Sequence, residues 1–192
     1  AEIVIDPQAT QQSLAICPYP KELEENIELR NGKKILLRPI RPEDESTHKE
    51  FDLAMSKEDR YKRYFAELPH FSHEQLAHQT QIDYNREMAF IATAPNAQGE
   101  FYTLGVVRVI FGVDGQEAEF AMAVRSDEKQ QGLGTLLLEK MLRYCRSKNL
   151  QTLTGVTMLE NSGMANLARK LGFTVRFDRD EELIHMELKF KY

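Results

Sequence analysis

The stretch from Glu117 to Asn149 limits what this chain can fold into more than any other. It joins a β-rich run, Glu117 to Val124, to a polar turn, Arg125 to Gln131, and a helical run that opens at Gly132 and Gly134. Over Gly132 to Asn149 the apolar residues Leu133, Leu137, Met141 and Tyr144, flanked by Leu136, Leu138, Leu142 and Cys145, recur at helical spacing. A strand that feeds a helix through a glycine-containing turn leaves several backbone N–H groups free. The helix N-terminus adds about half a positive charge, so a phosphate or pyrophosphate fits there. A lone G-x-G also has a plainer reading, a tight turn with close packing. Two common phosphate motifs are missing: Leu137 stands where the dinucleotide fingerprint needs its third glycine, and no G-x-x-x-x-G-K-[ST] run occurs.

The rest of the chain predicts a mixed sheet. Residues 1 to about 30 carry isolated apolar residues among Gln8, Gln11, Gln12, Pro18, Pro20 and an acidic run, with no sustained period, and read as a linker. Ile35, Leu36 and Leu37 form a strand stopped by Pro39 and Pro42, and Glu43, Asp44 and Glu45 make the acidic first turn of a helix to about Met55. Ser72 with Gln75 forms a capping box for a second helix ending near Asp83. Met88 to Thr93 and Leu104 to Phe111 read as an antiparallel hairpin, Thr152 to Met158 as a strand, Ser162 to Leu171 as a helix closed by Gly172, and Thr174 to Phe177 with Leu183 to Leu188 as a last hairpin. The expected organisation is a linker or junction over residues 1–33 and one α/β (α+β) domain over residues 34–192.

Composition narrows the function. Hydrophobic residues make up 42% and charged residues 29%, and the apolar runs fall far short of the roughly 20 residues that span a bilayer. No membrane partner is expected. A net charge of −5 lacks the basic footprint of a nucleic-acid binder. Cys17 and Cys145 are too few and too far apart for a disulfide framework or thiolate metal site, which fits a reducing, cytoplasmic setting. The N-terminus, Ala1-Glu2-Ile3, has neither the initiator methionine nor the features of a signal peptide, as expected of a fragment of a longer protein. His73 and His78 are five apart, about 140° around a helix, instead of the four that a zinc-peptidase motif needs, and no metal is expected. Arg60-Tyr61-Lys62-Arg63-Tyr64-Phe65 interleaves basic and aromatic residues and reads as a substrate-side or contact surface.

The run Val124-Arg125-Ser126-Asp127-Glu128-Lys129-Gln130-Gln131-Gly132-Leu133-Gly134 resembles the acyl-CoA signature of GNAT acetyltransferases, R/Q-x-x-G-x-G/A, with Lys129 at the Arg/Gln position. A second block of that family, an asparagine after a strand and a helix ending Leu-Gly-Phe, is matched by Asn161 and by Leu171, Gly172 and Phe173. The resemblance covers residues 34 to 190. It implies the GNAT fold, a mixed central sheet flanked by helices in which two parallel strands splay, here Glu117 to Val124 and Thr152 to Met158. It also implies acetyl-CoA as co-substrate, bound by Met122, Val124, Lys129, Gln130, Gln131, Gly132, Leu133, Gly134, Thr135 and Asn161. Leu37 to Asp44, Gln81 to Tyr84, Arg86 to Ala89 and Ala118 to Ala121 are similar to the acetyltransferase domain of bacterial Pat-type protein lysine acetyltransferases. That likeness implies a protein lysine as acceptor, with an acyl-CoA synthetase among the candidate partners.

Lysine transfer needs a base, because with a reference pKa of about 10.4 only roughly one amine in a few thousand is free at neutral pH. Glu119 matches the acidic position used as base in related lysine acetyltransferases, and partial burial would raise its pKa usefully. Glu117 shares its face by strand alternation and is the alternative. Either could instead be a solvated or ion-paired strand glutamate. A backbone N–H near Met122 to Val124 would polarise the thioester carbonyl. Many GNAT enzymes carry a tyrosine seven residues after the second-block asparagine, where this chain has Ala168. Three functions stay open: protein lysine acetylation, acetylation of a small-molecule amine, and non-catalytic acetyl-CoA sensing.

Overall fold

The computed structural model describes residues 17–29, 31–65, 70–128 and 131–192. The described residues form one eight-stranded sheet in the order β1-β2-β3-β4-β5-β6-β8-β7. Its strands are β1 (Glu25–Glu28), β2 (Lys34–Pro39), β3 (Glu87–Pro95), β4 (Phe101–Phe111), β5 (Glu117–Val124), β6 (Thr152–Met158), β7 (Thr174–Asp178) and β8 (Leu183–Lys189). The helices are α1 (Glu45–Ala54), α2 (Lys57–Tyr64), α3 (His73–Thr80), α4 (Leu133–Ser147) and α5 (Ser162–Lys170). Every strand pair is antiparallel except β5 with β6. Among the described residues no helix is long and apolar enough to cross a membrane.

The sheet is covered on both faces, and β3 records this in its sequence. Met88, Phe90, Ala92 and Ala94 join the larger core cluster with Leu133, Leu137 and Met141 of α4, whereas Ala89 and Ile91 join Phe51 and Met55 of α1 and the residue after it. A strand buried on both sides has no polar alternation to keep, which explains the continuous apolar run. The start of α1 is fixed by a buried ion pair in which Arg38 donates to both carboxylate oxygens of Asp44, at 2.7 and 2.6 Å. Removing one partner of such a pair typically costs about 3–5 kcal/mol, because the other charge is left buried and unpaired.

Two elements depart from the sequence reading. The expected linker of residues 1–33 contains β1, whose Glu25 ion-pairs with Lys140 and Arg143 of α4 and so ties the sheet edge to the helix over the core. The basic-aromatic cluster lies on α2, a helix with no apolar stripe. Ser56 caps it by accepting from the Asp59 N–H at 3.1 Å, and Glu58 and Asp59 stand in its positive first turn. The capping box of Ser72 with Gln75 forms as expected.

β5 and β6 pair only over Glu117 with Thr152, Ala118 with Leu153 and Glu119 with Thr154, and then separate, while β6 continues alongside β8 to Met158. The next pair would set Phe120 opposite Gly155. Phe120 is buried, its ring 5.4 Å from that of Phe173, and a Cβ built on Gly155 would lie 2.8 Å from two of its ring carbons. The aromatic ring uses the space a side chain would need, and the strands part beyond it. Gly155→Ala is therefore expected to lower stability by about 1–3 kcal/mol through overpacking, read as a drop in the urea midpoint at unchanged m-value.

Candidate active site

The parted strands frame a cavity of about 590 Å³, lined by β5 from Glu119 to Val124, by Val156 and Thr157 of β6, by Gly132 to Gly134, and by residues of α2 and α5. The Arg125 N–H donates to the Leu104 carbonyl at 2.9 Å, which fixes the parity of β5 against β4. The N–H and C=O groups of Phe120, Met122 and Val124 accordingly point away from β4, toward the strand that has left. An unpaired, partly buried backbone edge calls for hydrogen-bonding partners, and an extended ligand carrying amides would supply them.

At one end of the cavity Gly132 adopts a left-handed φ of 85°, and among the described residues no side chain caps α4 behind it. The first turn of α4 thus presents free N–H groups at the positive end of the helix, as an anion requires. The preceding turn is held from outside. Asn31 donates to the Gln131 side chain at 2.6 Å, and Glu128, which is buried, ion-pairs with Lys33 and accepts from the Tyr102 hydroxyl at 3.1 Å.

Toward the other end, Glu119 shares the cavity lining with Arg63, Tyr64 and Phe65. α2 is anchored there by the buried ion pair of Arg60 with Asp52 and by the edge-on packing of Tyr64 on Phe71, at 5.1 Å. Ser126, just past β5, fastens its N-terminus by accepting from the Ser56 N–H at 3.0 Å and donating to Asp59 at 2.5 Å. Burial pushes the Tyr64 phenol up, so it is a neutral O–H donor at neutral pH. Burial also pushes Arg63 below the usual guanidinium range, with Tyr64 and Glu119 acting in the opposite sense. The helix closes at Phe65 with a left-handed φ of 58°, a strained conformation for a bulky residue.

The structure gathers Glu119, Met122, Val124, Gly132, Leu133, Gly134 and Asn161 at this cavity. Lys129 and Gln130 lie outside the described residues. Gln131 and Thr135 are near in sequence but outside the lining, and Leu133 buries its side chain in the core, leaving its backbone for any ligand. Glu117 stays in the paired half of β5, exposed and away from the cavity. The expected partial burial of Glu119 is corrected: it is exposed, because its face of β5 turns to the open cleft and not to the core. The Asn161 side chain is already engaged, accepting from the Met164 N–H at 3.2 Å and donating to Thr157 at 2.9 Å. The sequence reading assigned no individual site role to Arg63, Tyr64 or Phe65, although their basic-aromatic interleaving marked the segment as a contact surface.

Away from the cavity, Asp178, Glu181 and His185 bring ligand atoms within 4.8 Å of one another. His185 faces Glu181 at 3.6 Å, an ion pair when the ring is protonated.

The description "acetyltransferase (GNAT) domain" belongs to a family model that matches residues 34–174. The chain belongs to the GNAT acetyltransferase family. It is an acyl-CoA-dependent transferase. A Pseudomonas aeruginosa protein named as an acetyltransferase is 28% identical over 159 residues, 82% of this chain and 85% of that protein. The GNAT domain of S. lividans PAT superposes with a TM-score of 0.79 at 23% identity, covering 90% of this chain and all of that one. Spermidine N-acetyltransferase from Vibrio cholerae, solved with CoA and spermine, gives 0.62 at 20% identity, covering 81% of this chain and 95% of that one. These two likenesses speak for the GNAT fold, and they leave the acceptor open.

The engaged side chain of Asn161 makes a separate forecast about this GNAT domain. Asn161→Ala removes the cap of α5 and is expected to cost about 1 kcal/mol, whereas Asn161→Asp keeps the acceptor and most of the stability. Equilibrium urea unfolding of both variants checks the difference.

Proposed function

We propose that the chain moves an acetyl group from acetyl-CoA to the side-chain amine of a protein lysine, with Glu119 as base. The observation that carries this reading is the sharing of one cleft by an exposed carboxylate, an open strand edge and the uncapped N-terminus of α4. Acetyl-CoA supplies an activated acetyl thioester, which the amine takes by direct attack as the CoA thiol leaves.

In this reading the residues divide the work along the cleft. The N–H groups at Gly132 to Thr135 hold the pyrophosphate, which explains why glycines with free backbone are used where a side chain would intrude. The N–H groups of Met122 and Val124, aimed into the cleft by strand parity, take up the amide and carbonyl groups that follow, one of them polarising the thioester carbonyl. Glu119 removes the proton from the incoming ammonium, and its exposure lets that proton pass on to water. Glu117 remains outside, so Glu119 is favoured over it. The similarity to Pat-type blocks in the sequence supports a protein lysine as acceptor. The free thiols Cys17 and Cys145 fit a reducing cytoplasmic setting.

Gly134→Trp should abolish CoA binding in calorimetry while the fold persists, because a Cβ at Gly134 already approaches Met122 and Leu167 at 3.5 and 3.4 Å and an indole would fill the cleft. Unchanged affinity in the folded variant would place the cofactor elsewhere. Glu119→Gln should bind CoA as wild type does yet transfer acetyl groups to lysine peptides about 10²-fold more slowly or worse, since a positioned base contributes about 10²- to 10⁴-fold. Raising the pH should recover part of that loss by supplying free amine. Equal rates for Glu119→Gln and wild type at neutral pH, with chemistry rate-limiting, refute the assignment.

A further inference from the structure

Arg63 stands in the cleft as a partly buried cation whose guanidinium makes no hydrogen bond or ion pair among the described residues. Among the described residues no carboxylate or carbonyl lies within ion-pair or hydrogen-bond distance of it, and its close contact is the Tyr64 ring, 4.9 Å from the guanidinium carbon. Its cationic neighbours are all engaged: Arg60 with Asp52, Lys62 with Glu58, and Arg108 with Glu87 at 2.7 Å and with the Gln79 carbonyl. A guanidinium has five N–H donors in a planar fork shaped for a carboxylate or phosphate. Placing one in a partly desolvated cleft with its donors unused has a cost that folding does not recover. α2 ends just beyond Arg63 at Phe65, which adopts a left-handed φ of 58° and also lines the cleft.

The position of Arg63 says where its anion comes from. Arg63, at the C-terminal end of α2 with Tyr64 and Phe65, lines the cleft together with Glu119 of β5. Arg63 therefore belongs to the Glu119 end of the cleft, whereas the phosphate-suited turn is at Gly132, braced by Asn31 and Lys33. An anion at Arg63 enters with the acceptor.

We propose that Arg63 recognises a carboxylate carried by the acceptor close to its reacting amine, so that Glu119 and Arg63 together select an ammonium with a neighbouring carboxylate. An acidic residue beside the acceptor lysine of a protein presents that chemistry, and so does the carboxylate of a free amino acid. The inference rests on the assignment of the Glu119 end to the acceptor.

The test compares kcat/KM on two pairs of acceptors in the full chain and in Arg63→Gln and Arg63→Lys. One pair is two peptides differing only in Asp or Asn after the acceptor lysine; the other is Nα-acetyl-lysine and its carboxamide. A charge-assisted contact predicts roughly a tenfold preference for the carboxylate member of at least one pair, lost in Arg63→Gln, partly kept in Arg63→Lys, and no change in the KM for acetyl-CoA. A preference for the Asp peptide identifies the protein source, and one confined to Nα-acetyl-lysine identifies the small-molecule source. Ratios near one in wild type overturn the inference even if Arg63→Gln does not fold. So does a preference that survives in Arg63→Gln, or a loss there that appears in the KM for acetyl-CoA. Transfer to both peptides at equal rates, with equal rates also for Nα-acetyl-lysine and its carboxamide, sinks the Arg63 inference and leaves lysine acetylation standing. Carboxylate-dependent transfer to Nα-acetyl-lysine without transfer to either peptide does the reverse, and no transfer to any acceptor removes both.

Discussion

The seating of one aromatic ring over one glycine organises the functional half of this molecule. β5 and β6 run together for three residue pairs and part where Phe120 would face Gly155. Parallel pairing would otherwise continue, since both strands go on for several residues and their backbone groups need partners. The ring fills the place of a side chain on β6, packs on Phe173, and converts what would be sheet interior into a cleft with an exposed backbone edge. The remaining strands and the helix over the core hold β5 in place from its other side, so the opening is local and the sheet stays continuous.

The cleft is electrically asymmetric along its length. One end is a helix N-terminus whose charge comes from backbone dipoles and needs no ionisable residue. The other end has side-chain charges of both signs, Glu119 and Arg63, and the neutral phenol of Tyr64. In the proposed reading, backbone recognition suits a co-substrate that never changes, because glycines and strand parity would fix it without regard to side chains. Side-chain recognition suits the partner that differs from one family member to another.

What could be read from the sequence follows the range of the forces involved. β5 and β6 were legible to the residue because their apolar runs and flanking polar turns are local signals, and the capping box at Ser72 is a pattern of four residues. α2 was not legible as a helix: Lys57 to Tyr64 has no apolar stripe, and the segment is held by its cap, by the Asp52–Arg60 ion pair and by contacts to Ser126 far along the chain. β1 was hidden for a similar reason, since its tie runs from Glu25 to Lys140 and Arg143, more than 100 residues away. Alternation correctly put Glu117 and Glu119 on one face, but only the level at which the strands part decides that Glu119 reaches the cleft and Glu117 does not.

The braces from Asn31 to Gln131 and from Lys33 to Glu128 join the turn between β1 and β2 to the turn that opens α4. Thermodynamic coupling is reciprocal, so any ligand that orders the α4 turn must also steady the sheet edge that grips it, and anything that loosens that edge must weaken the ligand by the same factor. In the proposed reading, the outermost hairpin of the sheet would then register occupancy of the α4 turn, and contacts made at that edge would tune it in return.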